Sequence, residues 1–175
     1  MLFRLAEGLL FLPYLQGERA PIWNANARVV YFGLNIKHEQ KHFVRATIEG
    51  ILYGFYSIAK TLQEHRCIKS LSANGTYASY PLWTQMIADI FNKPVLIKQN
   101  SGPDSVACGG YLVSATAMGL YQNLTQAAQK VQLVEKFHPV QQNHDVYMKH
   151  FAIFERLSTK LFDEFEAISD LQNNS

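Results

Sequence analysis

From Gly8 to Gly54 the chain changes character three times, and that succession restricts the fold more than any other feature. GLLFLPYL is a compact apolar run, read as a short buried strand or extended segment. Gln16 to Asn35 is punctuated by Gly, Pro and Asn and reads as a long irregular loop. A loop of that length inside a compact domain is usually functional. A helix is then expected from about Glu39 to His65, because Phe43, Thr47, Ile51, Phe55, Ile58 and Leu62 recur every three or four residues. Gly50 and Gly54 fall inside it at a cost of about 1 kcal/mol each relative to alanine. They point to a close crossing with another element.

The remainder alternates in the same way. CIKSLSA (67–73) reads as a short strand and Asn74-Gly75 as a turn. Ser79 is placed to cap a helix over about Tyr80 to Phe91, with Pro81 in the tolerated first turn. Asn92-Lys93-Pro94 ends it, and Val95 to Lys98 forms another strand. After the loop Asn100-Ser101-Gly102-Pro103, a small-residue helix runs from Asp104 to about Met118, with Gly119 just past its end. A short helix covers Leu124 to Val131, and His138-Pro139 is a boundary. A long amphipathic helix spans about Asp145 to Leu171, with the stripe Tyr147, Phe151, Phe154, Leu157, Leu161, Phe165 and Ile168. This order of strands and helices argues for an α/β layer, helix-rich with a few short strands.

At 175 residues, with 48% hydrophobic and 17% charged side chains, the chain is long and apolar enough to build a real core. A net charge of +2 gives no reason to expect nucleic acid or an anionic membrane as partner. Two cysteines, Cys67 and Cys108, make no disulfide framework and suit reduced thiols in the cytoplasm. The amino terminus imitates a signal peptide, with Arg4, an apolar stretch and Ala25-Asn26-Ala27. Against that, Glu7 interrupts the stretch, Pro13 breaks it, and Glu18 and Arg19 precede the supposed cut. No apolar run reaches the roughly 20 residues that a membrane helix needs.

Four short patterns could carry chemistry. In GERAPIWNANAR, Arg19 offers five donors suited to a carboxylate or phosphate. Its simpler role is an ion pair with Glu18 or another carboxylate that shapes the loop. In LSANGTYASYPLW, Gly75 lies between a strand and a helix start. A phosphoryl or ribosyl group could approach the backbone there and meet amides at the helix end. Such turns also occur without a nucleotide. The small residues of DSVACGGYLVSATAMGL serve close helix packing, with Asp104 suited to the helix dipole. HEQKH (38–42) is a literal H-E-x-x-H zinc pattern, and Glu64 is spaced as a third ligand. However, His38 falls at the fraying end of its helix and His42 on a flank, so the pair does not present one settled cleft.

LPYL-x-GERAP-x-W, the N-A-R segment, the R-A-x-x-E-G run (Arg45, Ala46, Glu49, Gly50), the Gly75 turn and the small-residue helix together resemble the carboxy-terminal domain of FGGY-family carbohydrate kinases. The resemblance is closest to members acting on gluconate and extends over nearly the whole chain. It implies part of an actin-like, ribonuclease H-like ATPase domain that uses ATP and Mg²⁺. Asn74, Gly75, Thr76 and Ser79 would fall at the nucleotide, and Arg19 toward the sugar. Three departures stand out: Asn24 where the family often has Asp, Val29 where it has Gly, and Thr76 where it usually has a second glycine of a pair.

The same resemblance implies that residues 1–175 are a partial carboxy-terminal domain. The family's general base, an Asp in a Gly-Asp segment, and its phosphate-gripping hairpin lie upstream of the matching region. No residue here is assigned a catalytic or metal-binding role. The expectation is the nucleotide-side portion of an ATP-dependent sugar kinase, inactive alone, with an amino-terminal kinase domain as partner. The alternative is a non-catalytic module that self-associates or pairs with another chain.

Overall fold

The computed structural model describes residues 5–63 and 67–173. In chain order the first elements are β1 (Leu10–Leu12), β2 (Val30–Phe32), α1 (Gln40–Gln63) and β3 (Leu71–Ser72). A 3-10 turn (Thr76–Ser79) then leads into α2 (Pro81–Phe91), β4 (Val95–Lys98) and α3 (Ser105–Ala117). The last four are α4 (Leu124–Gln129), β5 (Leu133–Phe137), α5 (Gln141–Lys160) and α6 (Phe162–Asn173). The chain divides into two compact units, residues 1–67 with 142–175 and residues 68–141.

In the first unit β1 and β2 pair antiparallel, with Phe11 opposite Tyr31. The segment Gln16–Asn35 is therefore not wholly irregular. Its strand is three half-exposed or exposed residues, too short to show the alternation that marks a strand. α1 packs on β1. A Cβ at Gly50 would lie 2.1 Å from the Phe11 carbonyl oxygen, so this glycine lets the helix backbone touch the strand. The close crossing expected from sequence is real at Gly50 but not at Gly54, where the nearest atom is 3.9 Å away.

The buried face of α1 differs from the one its periodicity suggests. Ala46, Glu49, Gly50, Leu52, Tyr53 and Ser57 are inside, while Phe55, Ile58 and Leu62 of the expected stripe are exposed. The helix carries apolar side chains on two opposite faces. Close approach at Gly50 and the rings packed on Tyr53 select the buried one. Tyr53 meets Phe151 and Phe154 with ring centroids 5.9 and 5.5 Å apart. The end of the expected helix, toward His65, lies outside the described residues, as does Arg4.

The carboxy-terminal helix is two helices, and the first begins at Gln141 rather than near Asp145. Its stripe holds at Tyr147, Phe151, Phe154 and Phe165, all buried, whereas Ile168 is exposed. The break falls at Leu161. Just before it, Ser158 Oγ donates to the Phe154 carbonyl and Thr159 Oγ1 to the Arg156 carbonyl. Hydroxyl bonds of this kind back into the helix bend it.

In the second unit β3 and β4 run parallel through the crossover helix α2, and β5 adds antiparallel to β4. Ala73, Ala78, Ala88 and Val95 form its core, with Leu71, Ile87, Ile97 and Phe137 packed around them. β5 is absent from the sequence reading because only Phe137 reaches that core and the other four residues are exposed. Its place comes from ladder hydrogen bonds, which leave no hydrophobic pattern. α2 opens on Pro81 after Tyr80 and closes on a left-handed Asn92. Ser79 does not cap it: the 3-10 turn ends there and the cap position shifts to Tyr80, with no side-chain bond. Buried Asp89 accepts from Gln85 Nε2 at 2.8 Å and from the Val140 amide at 2.9 Å, tying α2 to the end of β5. α3, with Asp104 before it and Gly119 at φ +82 after it, matches the expected bounds.

Candidate functional site

In the second unit, two loops leave the carboxyl ends of the adjacent parallel strands β3 and β4. Ligands of open α/β sheets bind in this kind of place. The first loop carries Asn74, Gly75 and Thr76 into the 3-10 turn that ends at Ser79. The second runs from Gln99 to Asp104. The Gly75 amide donates to the Ser101 carbonyl at 2.7 Å, and buried Ser101 accepts from the Lys98 amide through Oγ at 2.9 Å. A Cβ at Gly102 would lie 3.4 Å from Ser79 Oγ. The structure therefore gathers Asn74, Gly75, Thr76 and Ser79 at one rim, with the side chains of Asn74, Thr76 and Ser79 exposed.

Gly75 sits at φ 99 and ψ −178, a region open essentially to glycine alone. The nearest atom to a Cβ there is a Tyr77 ring carbon at 3.5 Å. Conformation, not crowding, explains the residue. We expect Gly75→Ala to cost about 1–3 kcal/mol of stability, measurable as a lower denaturation midpoint. No change would show that the turn relaxes freely.

Arg19 belongs to the other unit. It is exposed, its amide donates to Glu18 Oε1 at 2.8 Å, and its carbonyl accepts from the Trp23 amide at 2.5 Å. Among the described residues its guanidinium makes no ion pair, so the expected pairing with Glu18 does not form. The loop around it is anchored by other residues. Asn24 Oδ1 accepts from the Asn26 amide at 2.7 Å, a bond an aspartate would also accept. Asn26 donates to Glu166 at 2.6 Å, and Arg28 donates to Gln172 and Ser169 on α6. Val29 packs on the cluster of Ala6, Leu9, Phe11 and Ala46. A cavity of about 320 Å³ lies between this loop, α1 and α5, walled by Glu18, Pro21, Ser57, Lys60, Glu155 and Ser158 among others. Arg19 is not part of its wall.

His38 and His42 both act locally at the start of α1. His38 Nδ1 accepts from the Asn35 amide at 2.9 Å and His42 Nδ1 from the Glu39 amide at 2.8 Å. Glu64 lies outside the described residues. Among those described, no group of three or more His, Cys, Asp or Glu side chains could hold a metal ion. Sequence reasoning also passed over the structural centre of the R-A-x-x-E-G run. Glu49, 2% exposed, accepts from Arg45 Nε at 2.7 Å, and Arg45 Nη2 donates to Tyr147 at 2.6 Å. The arginine-glutamate spacing of four on a helix was the available signal.

The model of the FGGY family of carbohydrate kinases, C-terminal domain, matches residues 4–118. The chain belongs to this family. A gluconokinase of Bacillus licheniformis is 31% identical over 97% of this chain and 33% of its own length. A xylulose kinase of Staphylococcus epidermidis is 33% identical over 87% of this chain and 31% of its own length. Among solved structures, gluconate kinase from Lactobacillus acidophilus superposes with a TM-score of 0.79 at 30% identity, over 93% of this chain and 33% of that one. The FGGY chain thus has part of the actin-like ATPase fold and spans about a third of the length of the curated relatives it matches. Among the described residues, no helix is long and apolar enough to cross a membrane.

Proposed function

We propose that this chain is a partial carboxy-terminal kinase domain, supplying the nucleotide side of an ATP-dependent sugar kinase in the cytoplasm, with gluconate as the substrate. The supporting observation is the Gly75 turn hydrogen-bonded to the Ser101 loop at the carboxyl ends of two parallel strands. The groups there fit a nucleotide. The Asn74 amide and the Thr76 and Ser79 hydroxyls can hydrogen-bond ribose and phosphate oxygens, and Gly75 keeps the backbone open beside them. ATP, with its Mg²⁺, would supply the γ-phosphoryl group that passes in line to a sugar hydroxyl. Such transfer rests on positioning and charge stabilisation. This chain's part is to hold and orient the nucleotide, and Arg19 would face the sugar acid. The acid-base group and the remaining phosphate contacts would come from an amino-terminal kinase domain. Gluconate is favoured because gluconate kinases stand among the similar sequences and structures alike, although xylulose kinases stand there too.

Calorimetric titration tests the nucleotide assignment. We expect ATP to bind weakly, and Thr76→Gly, which removes a side chain from the rim, to tighten binding by about tenfold, or 1.4 kcal/mol. A coupled ADP-release assay of the chain alone with gluconate should show negligible turnover. Normal turnover would refute the division of labour. Absence of any binding at saturating ATP would favour a non-catalytic module, a reading that the exposed apolar surface of α1 also supports.

A further inference from the structure

The cavity of about 320 Å³ lies wholly within the first unit, and the nucleotide reading makes no use of it. Its volume is at the lower end of the roughly 300–1,000 Å³ of small-molecule sites. Glu18 and residues 20–22 form one side, the carboxyl half of α1 a second, and the end of α5 a third. Part of the wall is polar yet buried: Tyr14, Ser57 and Ser158 are 3%, 8% and 4% exposed.

The hydroxyls of that wall have committed their protons elsewhere. Ser57 Oγ donates to the Tyr53 carbonyl at 2.9 Å, Ser158 Oγ to the Phe154 carbonyl at 2.9 Å, and Thr159 Oγ1 to the Arg156 carbonyl at 3.1 Å. Tyr14 and Ser158 share a bond of 2.7 Å. Ser158 spends its one proton on Phe154, so Tyr14 is the donor in that bond. What these groups have left to offer a ligand is lone pairs. Two carboxylates add to them. Glu155 Oε1 accepts from Lys60 Nζ at 2.7 Å, and the same ammonium lies 5.8 Å from the centre of the Phe151 ring. Glu18 Oε1 accepts from the Arg19 amide at 2.8 Å, but among the described residues Glu18 has no ion pair. The wall therefore sets two carboxylates against one engaged ammonium, and acceptors outnumber donors.

We propose that this cavity binds a small primary alkylamine, and an aliphatic diamine best. An ammonium has three donors and no acceptor, the complement of such a wall. One end of the diamine neutralises Glu18, and the other takes the second oxygen of Glu155. The methylenes between them lie against Pro21 and Ile22, apolar members of the wall. The two carboxylates repel a phosphate or a sugar acid, so this site is separate from the one proposed for substrate. A bare metal ion would leave most of the volume empty, and among the described residues no group of three or more His, Cys, Asp or Glu could hold one.

Calorimetric titration of the whole chain with putrescine tests this. Saturable binding is expected at millimolar concentration or below. Glu18→Gln should weaken it by about tenfold or more, as loss of a charge-assisted hydrogen bond does. Glu135→Gln, the same change on exposed β5, should leave it unaltered. Thr61→Trp, at an exposed position on the wall, should abolish binding by filling the cavity. Circular dichroism and a denaturation midpoint equal to the parent's show that a variant folds, and should Glu18→Gln fail there, Thr61→Trp carries the test. Butanediol, of the same length without charge, should bind at least tenfold more weakly, and succinate not at all. Absence of saturable putrescine binding overturns the proposal. So does binding indifferent to Thr61→Trp or to a folded Glu18→Gln, butanediol binding as tightly as putrescine, or potassium ion displacing putrescine at equal concentration.

Discussion

Replacing Gly50 by alanine is expected to lower stability by about 3 kcal/mol, at the upper end of what overpacking costs. The added methyl would lie 2.1 Å from the Phe11 carbonyl oxygen and 3.0 Å from two further Phe11 atoms. The obstacle is backbone, not a flexible side-chain end. β1 cannot yield easily, because Leu10, Phe11 and Leu12 are paired with β2 on one side and buried throughout. The gain of about 1 kcal/mol from helix propensity offsets only part of this. Gly54→Ala is the internal control. Its nearest neighbour, Pro13 Cγ, would be 3.9 Å away, so the same propensity gain should stabilise the protein by up to about 1 kcal/mol. Two identical substitutions four residues apart should thus move the denaturation midpoint in opposite directions. Movement in the same direction would show that α1 does not touch β1 as described.

Glu49→Ala is expected to cost about 3–5 kcal/mol, the loss typical of breaking a buried ion pair from one side. It would leave the Arg45 charge with only Tyr147 at 2.6 Å, in a region where Arg45 Nη1 and the Tyr53 hydroxyl already lack partners among the described residues. The pair Arg45→Met with Glu49→Leu should recover most of that loss, since burying two charges is itself expensive. The pH dependence follows from the carboxyl's surroundings. Burial raises its pKa above the ordinary 4.5, and Arg45, the Ala6 amide and His150 counter this only in part. Above 4.5 the unfolded chain sheds this proton before the folded one does. Glu49's contribution is therefore full below 4.5 and is lost as pH rises through the folded value. The stability of the parent relative to Glu49→Gln, from denaturant titrations, should shrink from acid toward neutral pH. Growth over that range would mean that pairing with Arg45 outweighs burial.

Both effects sit on one helix whose existence was legible from its spacing but whose orientation was not. Phe43, Thr47, Ile51, Phe55, Ile58 and Leu62 repeat as well as the residues that are buried. A periodicity cannot choose between two apolar faces when the deciding contact is a bare Cα against a distant carbonyl. The same limit hid β2 and β5, which are three and five residues long and mostly exposed. Strong local signals fared better. Val95 to Lys98, Asn92 at the end of α2, and the span of α3 were all read in place. For the candidate site, a glycine between strand and helix located the rim. The partnership of Gly75 with Ser101, 26 residues on, needed the parallel sheet to bring the two loops together.

Local chemistry in the chain determined the elements with strong signals of their own, the turn at Gly75 and the motifs that mark the FGGY family, because each depends on residue types at short range. Tertiary structure alone decided which face of α1 is buried, with its contact at Gly50, that Glu49 lies inside with Arg45, and that Arg19 belongs to a different compact unit from Asn74, Gly75, Thr76 and Ser79. Those outcomes turn on contacts between residues far apart in sequence, where packing and desolvation outweigh local preference.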